Sequence, residues 1–219
     1  MISSFFYTLI LVYLLNLFEI LACTAGMLHW EKIKNTYWKW FLVYLIVIAV
    51  VEVYGIYFGS LRNNTILYNY FAIPLQFLFF FWLFGKGNNS KNRQLWLIFP
   101  SSIYLACWVI EYLFLRQRVT WFDSFSYTMG NVLLVILLIN YLLKFINSDE
   151  ILNYKSNMMF WVAVGIAIFY LGTLPFFALR NTLYYQFRDV FTVYNYVQLI
   201  LGCLMYLVFA LSFVWGKPK

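Results

Sequence analysis

Apolar residues arrive in seven long runs, and charged and turn-forming residues are gathered mainly in the short stretches between them. The runs cover residues 4–28, 40–60, 69–85, 95–115, 125–146, 158–179 and 193–215. Each is roughly 17 to 25 residues long, enough for an α-helix rising about 1.5 Å per residue to cross a hydrocarbon layer. Backbone groups in hydrocarbon must bond within their own segment, and nothing here alternates in short strands, so the pattern predicts helices rather than a β-barrel. The expectation is an all-α integral membrane protein, a seven-transmembrane-helix bundle forming one domain over residues 1–219.

Composition leads to the same class. With 64% hydrophobic and 11% charged residues, the chain has too little polar surface to coat a water-soluble globule of 219 residues. The longest connections are only about ten residues each, too short to bury a core of their own, which excludes an appended kinase, nuclease or P-loop domain. Met1–Ser4 lacks a basic stretch and the first run contains Glu19, so it reads as a retained helix rather than a signal peptide. Cys23, Cys107 and Cys203 fall in different runs and the lone His29 lies at a helix end, so these are packing residues and no metal or other cofactor is expected.

The net charge of +7 is spread over every connection, which suits anchoring in a lipid bilayer and gives no footprint for nucleic acid. The positive-inside rule orients the bundle. With the N-terminus outside and the C-terminus cytoplasmic, all the lysines and Arg93 fall inside, while Arg62, Arg116, Arg118, Arg180 and Arg188 fall outside. Chance and the inside bias explain this split; a sharper alternative is that the outer arginines offer planar forks to anionic headgroups or an anionic ligand.

Three carboxylates interrupt the runs: Glu19, Glu52 and Glu111. An ionisable group in a membrane helix is expensive and turns toward the bundle interior, which makes each a candidate ligand or proton site. Glu52 shares a face with Ala49, Ile56 and Gly59, and Gly55 with Gly59 forms a small-xxx-small pair that admits another helix closely. Glu19 lies on one stripe with Asn16 and Cys23, which predicts a neutral, hydrogen-bonded carboxyl. Glu111 stands about one turn before Arg116, and its plainer role is an interfacial pair with Arg116 or Arg118. Gln76, Asn131, Asn195 and Gln198 fall in the outer half with Glu52 and Glu111, so five helices contribute to one polar layer. That layer predicts an outward-facing binding cavity, against the alternative that the amides only join helices at about 1 kcal/mol or less apiece.

Residues 193–215 hold no lysine for a retinal Schiff base, and neither an Asp-Arg-Tyr after the third run nor an Asn-Pro-x-x-Tyr in the seventh occurs. No internal repeat of the kind seen in sugar transporters is visible. Asn69-Tyr70-Phe71-Ala72-Ile73-Pro74-Leu75-Gln76-Phe77, Phe160-Trp161, Tyr170-Leu171-Gly172 and Asn195 resemble a group of small seven-helix membrane proteins of Bacteroidota. The resemblance implies a bacterial inner (plasma) membrane protein, brings no established activity, and extends to the membrane sensor halves of histidine kinases. Only Lys217-Pro218-Lys219 follows the last run, so signalling would need a separate cytoplasmic partner reading residues 32–39, 86–93 or 147–157. An intramembrane hydrolase needs a nucleophile with a base or a metal cluster, and the dispersed acids and His29 supply neither. The sequence therefore points away from an enzyme and toward a bundle that senses or binds a small molecule or lipid, the alternative being a small-solute or proton-coupled transporter using Glu52 and Glu19.

Overall fold

The computed structural model describes residues 2–87, 93–116 and 121–218. No β-strand occurs among the described residues, which form α1 (Ile2–Leu28), α2 (Trp30–Ile33), α3 (Lys39–Phe58), α4 (Leu61–Leu67), α5 (Ile73–Gly87), α6 (Arg93–Ile110), α7 (Ser124–Ile146), α8 (Met158–Ala178), α9 (Arg180–Gln186) and α10 (Arg188–Trp215). A π-helical turn, Tyr68–Ala72, joins α4 to α5, a second, Glu111–Leu115, extends α6, and a 3₁₀ segment, Asp149–Ser156, precedes α8. Seven helices among the described residues are long and apolar enough to span a membrane. Side chains such as Val50, Ile136 and Val193 are exposed on these apolar helices, a surface that suits lipid and not water.

Two spans are longer than hydropathy predicts. The third runs Arg62–Gly87 rather than 69–85, because the Ser60 hydroxyl accepts from the Asn63 amide and starts a helix on the polar residues Arg62 to Thr65. The seventh runs Arg188–Trp215 rather than 193–215, with Asp189 in its first turn, where a carboxylate meets the positive end of the helix. Polarity marked both stretches as connection, but the Ser60 cap and the Asp189 carboxylate at a helix start suit the same polar residues to helix.

The chain divides into two compact units. The first comprises Met1–Val53, Phe145–Thr173 and Asp189–Lys219. Its core is aromatic: Phe41 meets Phe209 edge-on at 5.2 Å and stacks on Phe213 at 5.5 Å. Glycines bring the helices close, and a Cβ added at Gly26 would lie 2.6 Å from Leu42 Cδ1, while one at Gly202 would lie 2.9 Å from Leu15 Cδ1. Asn157 caps α8 by accepting from the Phe160 amide at 3.1 Å and is itself held by Glu150, to which it donates at 3.0 Å.

The second unit comprises Tyr54–Lys144 and Leu174–Arg188. Phe77 lies 5.1 Å from Tyr104 and 5.2 Å from Tyr127, and Tyr127 lies 4.1 Å from Phe177. The small-xxx-small pair works locally here: a Cβ on Gly59 would overlap Asn64, whose Nδ2 donates to the Gly55 carbonyl at 3.0 Å.

Candidate functional site

The π-helical turn Tyr68–Ala72 has an identifiable cause and a consequence. In an i to i+5 pattern the carbonyl of Asn69 would accept from residue 74, but that residue is proline and has no N–H. The Asn69 carbonyl instead accepts the indole N–H of Trp108 on α6 at 3.1 Å. This tie fixes the Asn69 side chain near the 121–123 segment, where its Nδ2 donates to the Trp121 carbonyl at 2.9 Å and to Asp123 Oδ1 at 3.2 Å.

The second π-helical turn aims a cation at the same place. Arg116 closes it, its amide donating to the Glu111 carbonyl at 2.9 Å. The Arg116 guanidinium forks onto Asp123, with Nε to Oδ1 at 2.9 Å and Nη2 paired with Oδ2, and Nη1 donates to the Tyr70 hydroxyl. The two side chains are only 8% and 4% exposed. The cation also lies over the Tyr70 ring at 4.7 Å and the Tyr112 ring at 5.8 Å. Burial opposes its charge, but the bond to Asp123 and that carboxylate's field outweigh burial and raise the Arg116 pKa above its ordinary value.

Glu111 behaves differently from the sequence expectation. Its carboxylate is 6% exposed and accepts the amides of Phe125 at 3.0 Å and Ser126 at 2.6 Å. It thus caps the N-terminus of α7, satisfying two amides that have no intrahelical acceptor. Arg116 pairs with Asp123 instead, and Arg118 lies outside the described residues. Asp123 carries no signal of its own in the sequence because it sits in a polar connection; only the fold shows it buried. Asn181 closes the ring of contacts, its amide bonding both the N–H and the carbonyl of Phe122.

These groups border a cavity of about 360 Å³ lined by Glu111, Leu115, Arg116, Trp121, Phe122, Asp123, Ser124, Phe125, Thr128, Ala178 and Asn181. Nearby, Arg180 stacks on Phe122 at 4.5 Å, Phe177 at 5.5 Å and Phe176 at 5.9 Å, and burial pushes its guanidinium down to about 10. The arginine forks anticipated for external anions are, at Arg116, turned inward to the chain's own carboxylate.

No family model matches the chain, and no curated protein or solved structure is significantly similar to it. Its own residues therefore carry the functional argument.

The remaining anticipated site residues belong to both units. In the second unit, Asn131 is fully buried and Gln76 partly so. In the first, Glu19 is 2% exposed and Glu52, Asn195 and Gln198 are partly buried. Glu52 is an electrostatic neighbour of Glu19, and the Tyr206 hydroxyl donates to the Glu19 carboxyl. Among the described residues, no group of three or more His, Cys, Asp or Glu side chains is arranged to hold a metal.

Proposed function

We propose that this is a bacterial inner-membrane protein, N-terminus outside and C-terminus cytoplasmic, that binds a small molecule or lipid headgroup in the Arg116–Asp123 cavity and signals through a separate cytoplasmic partner. The cavity carries the reading: about 360 Å³ is the size range of small-ligand sites, and it combines an aromatic wall with a few fixed polar groups. A ligand with a flat apolar body fits against Trp121 and Phe122, and its polar group competes for Arg116 or Asp123. Such competition loosens the hold on the first turn of α7, whose other end leads into residues 147–157, the segment offered to the partner.

The test uses the full chain in nanodiscs and a set of small carboxylates, amines and acyl headgroup analogues. A binder raises the thermal midpoint of the wild type, and Ala178→Leu, which adds bulk to the cavity wall and keeps both members of the ion pair, abolishes that rise while leaving the unliganded midpoint in place. Equal stabilisation of both proteins overturns the assignment. Flux of the binder into proteoliposomes, lost in Ala178→Leu, would make the cavity a transport site and remove the sensing role.

A further inference from the structure

A separate feature of the first unit, independent of the cavity, concerns Glu19. Gly202 faces Leu15 and Gly26 faces Phe213, and these two steps in sequence are equal, so α1 and α10 run parallel in fixed register. The same step takes Glu19 to Tyr206 and Asn16 to Cys203. Gly26 also faces Leu42 on α3, which returns antiparallel after a short connection. Ten residues back along α1 from Gly26 is Asn16, and ten forward along α3 from Leu42 is Glu52. Glu52 is therefore level with Asn16, and Glu19 lies about one turn away, roughly 4.5 Å along the axis.

Two oxygens at this level lack donors. Glu19 Oε2 is buried with no hydrogen-bond partner among the described residues, and so is Asn16 Oδ1, on a side chain only 8% exposed. The Asn16 amide cannot resolve this by turning, because its Nδ2 already donates to the Val12 carbonyl at 3.0 Å. Buried acceptors without donors are costly, so the site calls for a cation or a bound proton. A Cβ on Gly202 would lie 2.9 Å from Leu15 Cδ1, one residue from Asn16, so α1 and α10 are in contact at this level, which favours the smaller occupant.

We propose that Glu19 and Glu52 form a proton-binding site, holding a single proton between them that supplies the missing donor within the α1, α3 and α10 interface. The other titratable groups facing it are Cys23 on α1, Tyr44 on α3, and Cys203 and Tyr206 on α10. On α8, residues 158–173 carry no charge and Tyr170 as the one titratable group. Losing the proton sets two like charges side by side in an apolar interface, so its release drives α1 and α3 apart.

Infrared difference spectra of the full chain in nanodiscs, recorded through a pH titration, read the carbonyl stretch of a protonated carboxyl directly. The wild type shows such a band, and it survives Glu111→Gln. In E19Q and in E52Q the remaining carboxyl loses its anionic neighbour, and its proton affinity falls about tenfold or more; the double variant loses the band. A wild type without the band overturns the site even if the variants fail to fold. So does a band that persists in the double variant, or single variants that titrate as the wild type does. A midpoint that moves when sodium replaces choline at constant ionic strength assigns the site to an alkali ion instead, and overturns the proton.

Discussion

Asp123 and Arg116 show how burial decides what a charged residue is worth. At the surface such a pair contributes little, but here both side chains are nearly fully enclosed, and each is the other's compensation. Asp123→Asn leaves the Arg116 guanidinium buried without its carboxylate and is expected to cost about 3–5 kcal/mol. Arg116→Met strands Asp123 at a similar cost. The double variant, with neither charge buried, is expected to lose clearly less than the two together, a difference that a denaturation cycle in detergent reads directly. Additivity of the two losses would mean that the pair is not coupled. Of these two residues, Arg116 was visible in the sequence as a candidate anion fork and Asp123 was not, since nothing in a polar connection distinguishes a buried carboxylate from a solvated one.

Among the elements, the second unit's α5, α6 and α7 are positioned by aromatic contacts and by backbone groups that helices leave over. Pro74 removes a donor, Trp108 supplies one from a neighbouring helix, and the four-residue step from Trp108 to Tyr112 stacks their rings at 6.4 Å. Gly130 on α7 is the closest point of this packing: a Cβ there would lie 2.9 Å from ring carbons of both Phe77 and Tyr104. Gly130→Val therefore forces two buried rings aside and is expected to destabilise by about 1–3 kcal/mol, the usual result of overpacking. Gly87→Val, at the end of α5, serves as the comparison in the same thermal unfolding assay, and equal effects would contradict the close approach. The sequence displayed the seven apolar runs but not these contacts, because hydropathy averages over a span while packing depends on which face each glycine presents.

Over the whole molecule, seven helices among the described residues are long and apolar enough to cross a membrane, and seven crossings would put successive connections on opposite sides of it. Asn63, exposed in the first turn of the third span, and Leu152, exposed in the connection after the fifth, are separated by three spans. With the N-terminus outside, Asn63→Cys reacts with an impermeant thiol reagent in intact cells and Leu152→Cys reacts only after permeabilisation. The native cysteines Cys23, Cys107 and Cys203 are buried and leave the reading clear. The opposite labelling pattern would reverse the orientation taken from the basic residues. By itself, the sequence determined the helical class and the seven runs long and apolar enough to cross a membrane, because length and apolarity are properties of each segment alone. It also marked Glu19, Glu52 and Glu111 as costly, since taking a carboxylate out of water carries a desolvation cost that its neighbours can only offset. Only the tertiary structure decided what each does: it gave Glu111 to the first turn of α7, brought Asp123 to Arg116 and aligned Glu52 with Asn16. Those outcomes rest on register, capping and close approach between segments far apart in the chain, and a linear pattern of apolar and polar residues carries none of the three.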